Sequence, residues 1–274
     1  MPPGLTACSA IPDRSLEGAC RLSQLLRAGM TVRVAQLNSD QTTWPAVMGA
    51  FDFPRMMQEL VAQSEMNATA SCKAVEALCV EYGIKLDLRR AITTLYASSA
   101  DLVDLSRLHD LLILPVPEID SFDRNYIEPA IFQSGRPTVL MPSDGKQLQS
   151  VDRVVLAWDY SREAARALTD ALPILRLARD VHVVTVFGEK HIATTSVTSD
   201  LDKFLTAHQV HYSLHQLKAG VEPIADLLLR YAGEINAGML VMGGYGHNRM
   251  REFVLGGASR GVIRHPTLPV LFSH

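Results

Sequence analysis

The chain is poor in cysteine and aromatic residues, and it lacks any long apolar run. Its four cysteines, at positions 8, 20, 72 and 79, form no Cys-x-x-Cys pair, so no zinc or redox motif is expected. No apolar run approaches the ~18 residues of a transmembrane helix. No basic segment followed by an apolar core opens the sequence, so we expect no signal peptide. These absences favour a cytoplasmic protein.

A strong excess of charge of either sign is also missing. The net charge is −3, which argues against binding to nucleic acid or to an anionic membrane, because both require basic stripes. Hydrophobic residues make up 47% of the chain and aromatic residues only 6%. We therefore expect aliphatic cores.

Several catalytic motifs are absent as well. The sequence has no Walker A lysine motif, no six-residue dinucleotide fingerprint and no Gly-x-Ser-x-Gly elbow. His208, His211 and His215 fall on a predicted helix end and strand, which favours scattered surface histidines over a metal site. We expect a binding protein rather than an enzyme.

Strand and helix patterns alternate along the whole chain. Predicted strands cover 5–9, 30–37, 84–92, 111–114 and 137–141, then 153–158, 181–187, 210–217, 239–242 and 269–272. Predicted helices cover 16–28, 54–82 (one long helix or a bent pair) and 99–109, then 161–178, 198–208, 223–237 and 257–265. The sequence predicts an α/β fold of two tandem Rossmann-like domains, residues 1–142 and 151–274. Each is an open, mostly parallel five-stranded sheet with helices on both faces.

The second half, residues 151–274, contains a glycine-rich segment after its fourth strand. An apolar run ending at Met242 leads into Gly243 and Gly246, nine residues separate Gly246 from Gly256, and a predicted helix begins at Gly257. A strand end, a glycine turn and a helix N-terminus together favour a phosphate site, because the backbone N–H groups there lack partners. The N–H groups of Gly257, Ala258 and Ser259 would contact the phosphates.

At this point the second half resembles the universal stress protein family. Gly243, Gly246 and Gly256 match the glycines of the nucleotide-binding members, and Ser259 matches a hydroxyl position. Gly257 departs from the pattern, because the family carries a serine or threonine there. The resemblance, to a tandem two-domain member, implies a stress-response protein that binds ATP, or AMP or ADP, with or without Mg²⁺.

Two further strand ends complete the candidate nucleotide site. Asp159 follows Ala157 closely, and the resemblance implies that this acid lies near the ribose; alternatively, Asp159 and Ser161 cap the next helix. Val186 would press on one face of adenine, or it is an ordinary core valine. Arg249, Arg251 and Arg260 would screen phosphate charge or pair with neighbours.

The first half, residues 1–142, lacks the corresponding loop. Its segment 115–123 contains prolines and three carboxylates but no glycine, so we expect no nucleotide there. We expect the strands around 138–140 and 270–272 to pair within one chain, because each would otherwise form an exposed edge; two chains can still form a homodimer by another face. Two alternative functions stay open: a slow Mg²⁺-dependent ATP hydrolase or nucleotide-transfer enzyme using His247 and Arg249, and a nucleotide-free dimerising scaffold.

Overall fold

The structure, a computed structural model, describes residues 4–8, 13–37, 53–93, 100–116, 126–143, 146–187, 195–244 and 257–274. The strands are β1 (Gly4–Cys8), β2 (Met30–Leu37), β3 (Leu86–Thr93), β4 (Leu112–Val116), β5 (Thr138–Pro142), β6 (Arg153–Ala157), β7 (Asp180–Phe187), β8 (Tyr212–Lys218), β9 (Met239–Gly243) and β10 (Val270–Ser273). The helices are α1 (Asp13–Leu25), α2 (Phe53–Glu81), α3 (Ala100–Ser106), α4 (Ile127–Gln133), α5 (Arg162–Leu175), α6 (Thr195–Ala207), α7 (Ile224–Glu234) and α8 (Gly257–Arg264).

The described strands form one ten-stranded sheet in the order β3-β2-β1-β4-β5-β10-β9-β6-β7-β8. Each half therefore contributes five parallel strands, and the order in one half mirrors the order in the other. The halves join through β5 and β10, which pair antiparallel with Val139 opposite Leu271. The expected pairing of residues 138–140 with 270–272 is thus present. The predicted α/β fold is confirmed, whereas the domain boundaries stay a prediction.

Helices cover both faces of the sheet, as its sequence pattern requires. One apolar cluster packs α1, α2, α5 and α6 against the sheet, and the other packs α3, α4, α7 and α8 against the opposite face. Successive strand residues alternate between the clusters, so that Val139 and Met141 face the first and Leu140 faces the second. Both clusters span the joint between the halves.

Helix α2 decides between two predicted alternatives, and helix α4 is an addition to the helices predicted from the sequence. Helix α2 is one continuous helix of 29 residues rather than a bent pair. Helix α4 was not predicted, and its buried residues Ile127, Ala130 and Ile131 lie at helical spacing over only seven residues. Such a short helix depends on packing against the sheet rather than on its own propensity.

The described part of the connection between the halves, residues 146–150, is anchored in the protein by its leucine. Leu148 is fully buried in the first apolar cluster. The backbone N–H of Lys146 donates to the Thr267 carbonyl at 2.8 Å. A Cβ atom on Gly238 would lie only 1.8 Å from the Ser150 carbonyl oxygen, so only glycine permits this close passage of the connecting chain.

None of the described helices combines the length and the apolar character that crossing a membrane requires.

Candidate functional site

The candidate site lies where the strand order of the second half reverses. Strand β6 is flanked by β9 on one side and β7 on the other, and ligands of open α/β sheets bind beyond the carboxyl ends of strands at such a switch point. Ala157 ends β6 and pairs with Val184, while Leu156 pairs with Val241 of β9. The carboxyl ends of these three strands therefore converge.

Three predicted site residues occupy these strand ends. Ala157 and Val186 are half-buried and pack against the second apolar cluster, whereas Met242 is buried within it. A half-buried valine fits both interpretations of Val186, since it contributes to the core and keeps part of its surface outward. Met242 belongs to the core beneath the strand ends rather than to their exposed surface.

Ser161, rather than Asp159, caps helix α5. The Ser161 hydroxyl oxygen accepts from the Ala164 N–H at 3.0 Å. Asp159 Oδ1 accepts from the Ser161 N–H at 3.0 Å and from the Ser161 hydroxyl at 2.5 Å. Asp159 therefore orients the capping serine. Because both of these bonds use Oδ1, the exposed carboxylate keeps Oδ2 as a hydrogen-bond acceptor.

Gly243 is a site of close backbone approach between β9 and α5. A Cβ atom there would lie 2.6 Å from the Glu163 carbonyl carbon and 2.8 Å from the Ala164 nitrogen. Since both neighbours are backbone atoms, a side chain requires the strand or the helix to move. Packing therefore explains this glycine without any ligand, and it holds the N-terminus of α5 against the end of β9.

Helix α8 begins next to this strand end. Gly257 is exposed, and no non-neighbouring atom of the described residues lies within 4 Å of a Cβ built on it. Ala258 is half-buried, and Arg260 on the first turn is exposed. Ser259 is buried, and its hydroxyl donates to the Gly243 carbonyl at 3.4 Å, a long bond that ties the helix to β9. Part of its hydrogen-bonding capacity is therefore already used.

Five residues singled out from the second half of the sequence fall outside the described part of the chain. They are Gly246, His247, Arg249, Arg251 and Gly256. The structure places the start and the end of the glycine-rich segment, at Gly243 and Gly257. The role of the residues between them stays a prediction.

Glu163 is a charged group at this site that the sequence patterns did not reveal. The residue is buried, and its carboxylate lies 2.5 Å from Arg162 Nε. Burial alone would raise its pKa, but hydrogen bonds from Arg162 and from its own backbone N–H lower the pKa below the ordinary value. An acid in the first turn of a helix was the available signal. The site thus contains a fixed negative charge beside Gly243.

The first half contributes a side chain to the neighbourhood of the glycine-rich segment. The Phe132 ring of α4 meets the His274 ring edge-on, with centroids 5.4 Å apart. His274 Nδ1 lies 2.9 Å from the Gly244 carbonyl, and the Gly244 N–H donates to Ser273 at 2.7 Å. A Cβ on Gly244 would lie 2.9 Å from Phe132 Cε1. The residue after β9 is therefore enclosed by both halves.

Comparison with known proteins identifies the type of domain in the second half. Residues 150–274 match the model of the universal stress protein family. A universal stress protein of Synechocystis sp. is 27% identical over 139 residues, which cover 50% of this chain and 46% of the relative. The chain thus spans about half the length of this curated relative. Residues 150–274 form a universal stress protein domain, as the glycine-rich segment indicated.

Solved structures share the fold over nearly the whole chain. A universal stress protein from Archaeoglobus fulgidus is 17% identical with a TM-score of 0.70, covering 98% of this chain and 97% of its own. A Pseudomonas aeruginosa protein titled as a universal stress protein is 11% identical with a TM-score of 0.59, covering 98% and 92%. At these identities the likeness concerns the α/β fold alone.

Proposed function

We propose that this chain is a tandem universal stress protein that binds an adenine nucleotide in its second half and acts as a nucleotide-responsive module in the stress response. One observation carries the proposal: helix α8 starts at the exposed Gly257, beside the end of β9, at the switch point of the strand order. Helix N-termini at such positions bind phosphate.

The start of α8 provides the phosphate end of the proposed site. The first N–H groups of a helix have no partner within the helix, and the helix dipole adds partial positive charge there. With respect to residues 4–244 and 257–274 as far as they are described, Gly257 leaves open space beside these groups, so a phosphate can approach the backbone. Arg260 is exposed on the same turn and adds a positive charge within reach of a phosphate chain.

The ends of β6 and β7 provide the nucleoside end. Asp159 offers its second carboxylate oxygen to ribose hydroxyls, and Ala157 and Val186 offer apolar surface to the base. The negative charge of Glu163 beside Gly243 opposes a phosphate, although the neighbouring Arg162 offsets it. We therefore expect Mg²⁺ to strengthen ATP binding, because the cation reduces the repulsion between the two negative groups.

The described part of the first half differs from the second half at the corresponding strand end. The strand corresponding to β9 is β4, which ends at Pro115 and Val116 instead of glycine. The Pro115 carbonyl accepts from the Tyr126 hydroxyl at 2.7 Å, so one polar group of this strand end is already used by a local side chain. We expect one nucleotide per chain.

Calorimetric titration of the full chain with ATP, ADP and AMP, with and without Mg²⁺, tests the proposal. We expect one site, and we expect Gly246→Val to abolish binding because a β-branched residue resists φ > 0 and close phosphate approach. Gly233→Val is the matched control, since Gly233 is exposed, has open space among the described residues and lies in α7 before the amino end of β9, whereas the glycine-rich segment follows its carboxyl end. Two equivalent sites, or unchanged affinity in a folded Gly246→Val protein, would contradict the proposal.

Mass spectrometry of the denatured purified protein provides an independent measurement. We expect an adenine nucleotide to co-purify with the protein and not to be hydrolysed by it. Phosphate release during incubation with ATP and Mg²⁺ would instead favour the hydrolase, and a nucleotide-free protein that also fails in calorimetry would favour the scaffold. The cytoplasmic location and an association between chains stay predictions.

A further inference from the structure

Helices α1 and α2 pack side by side on the same face of the sheet. Each connects two neighbouring parallel strands, β1 with β2 and β2 with β3, so the two helices run in the same direction. Gln24 Nε2 donates to the Tyr82 carbonyl at 3.2 Å, just beyond the end of α2, and the Tyr82 hydroxyl donates to Glu17 Oε1 at 3.1 Å. These contacts set which parts of α1 and α2 lie at the same level.

Two buried cysteines lie at one level between these helices. Cys20 is four residues before Gln24, and Cys79 is three residues before Tyr82, so each lies one turn back from the same contact. Cys20 and Cys79 both belong to the first apolar cluster, and the Cys20 thiol donates a hydrogen bond to the Cys79 sulfur. The sequence did not reveal this pair, because its members are distant in the chain and form no Cys-x-x-Cys motif.

The hydrogen bond gives the two sulfur atoms different properties. It lowers the pKa of Cys79 below the ordinary value, against the effect of burial, because the Cys20 S–H stabilises the Cys79 thiolate. The same hydrogen bond, together with burial, raises the pKa of Cys20. Since the thiolate is the nucleophile, Cys79 is the attacking sulfur, and Cys20 is the neighbouring thiol that can complete a disulfide.

The surroundings of the pair favour a small, neutral oxidant. Cys20 and Cys79 are only 0% and 2% exposed, so a bulky disulfide reagent does not reach them. The bordering Glu17 and Tyr82 are half-buried, which places the pair one layer beneath the surface. Glu17 and Glu81 disfavour negative charge at Cys20 and therefore also disfavour an anionic reagent. Hydrogen peroxide is uncharged and not much larger than water.

We propose that Cys20 and Cys79 react with hydrogen peroxide and form a reversible disulfide between α1 and α2. The Cys79 thiolate attacks one peroxide oxygen: the S–O bond forms, the O–O bond breaks, and the released hydroxide takes a proton and leaves as water. The Cys20 sulfur then attacks the Cys79 sulfenic acid: the S–S bond forms, the S–O bond breaks, and the hydroxide leaves with the Cys20 proton as a second water. The two thiols lose two electrons, which reduce the peroxide, and a dithiol reverses the reaction.

This site is separate from the proposed nucleotide site. Both sulfur atoms lie on α1 and α2 of the first half, whereas the glycine-rich segment belongs to the second half. The chain would therefore respond to peroxide whether or not it binds a nucleotide, and the test uses no nucleotide.

Stepwise oxidation of the reduced full chain with hydrogen peroxide tests the proposal. Remaining thiols are blocked with N-ethylmaleimide on denaturation, and unreduced peptide maps are recorded by mass spectrometry. We expect one linked peptide pair that joins Cys20 to Cys79, and its complete loss after dithiothreitol. The exposed Met66 reports the dose, and the link should form before Met66 becomes a sulfoxide, since a thiolate is the stronger nucleophile.

Three variants separate the roles of the two sulfur atoms. Cys20→Ala should leave Cys79 as a sulfenic acid that dimedone traps on denaturation, because the thiol that completes the disulfide is missing. Cys79→Ala should give no sulfenic acid at Cys20, because a buried thiol in apolar surroundings stays protonated. Cys72→Ala is the matched control, since Cys72 is also buried on α2, and it should form the disulfide to the wild-type extent.

Four results would overturn the proposal: Met66 sulfoxide before any link, a link that involves Cys8 or Cys72 instead, a link between two chains on a non-reducing gel, or dimedone on Cys20 in Cys79→Ala. The first three are measured on the wild-type chain, so they decide the question even if an alanine variant fails to fold.

Discussion

Gly257→Ser should tighten nucleotide binding, because it restores a hydroxyl where the resembled family carries serine or threonine. The part of the chain that the structure describes offers no steric obstacle, since Gly257 is exposed and none of its non-neighbouring atoms lies within 4 Å of a Cβ at this position. Serine is also well tolerated at a helix N-terminus. The substitution therefore changes the ligand-binding groups without disturbing the packing of α8 on β9.

The expected gain follows from the value of one hydrogen bond to the phosphate. A net contribution of about 0.5–1.5 kcal/mol corresponds to a dissociation constant about twofold to twelvefold lower. Calorimetry on the wild type, Gly257→Ser and Gly257→Ala separates the hydroxyl from the added Cβ, because alanine supplies only the carbon. If serine binds ATP no more tightly than alanine does, the start of α8 does not contact the phosphates and the reasoning is wrong.

Three further predictions concern stability. Gly243→Ala should lower the free energy of unfolding by about 1–3 kcal/mol, since its Cβ would overlap the α5 backbone, whereas Gly257→Ala should not; equal denaturation midpoints would contradict this. Burial and the stacked His182 imidazole lower the pKa of His215 below 6.5. The folded state therefore disfavours protonation of His215, and the free energy of unfolding should fall as the pH decreases below about 6.5. Thermal melts between about pH 7.5 and 5.5 should show a smaller decrease in stability for His215→Gln than for the wild type. Leu148→Ala should cost about 2–5 kcal/mol in denaturant titrations, and the exposed Gln149→Ala about zero.

Much of the fold could be predicted because buried parallel strands are continuous apolar runs separated by helical patterns. Strand β2 is observed at the predicted bounds, Met30–Leu37. Helix α4 was not predicted from the sequence, because seven residues that include Pro129 are too few to show a helical periodicity. Its helical state is stabilised by contacts with the sheet, which sequence spacing does not record.

The candidate site could be located from the sequence, but the reasons for its residues could not. Gly243 is required by the backbone of α5, which is remote in sequence and close only in the folded sheet. Ser161 and Asp159 were both reasonable caps, and the geometry alone assigns the cap to Ser161. The burial of Glu163 likewise depends on the neighbouring end of β9. Such long-range contacts leave no local pattern.

The joint between β5 and β10 also has a kinetic consequence. Val139 finds its partner Leu271 only about 130 residues later in the chain, and closing so long a loop makes this contact slow to form. During synthesis the first half emerges while β5 still lacks its neighbour, so its N–H and C=O groups stay available to other nascent chains. The final pairing step therefore decides between a monomeric chain and one that exchanges strands with a copy of itself.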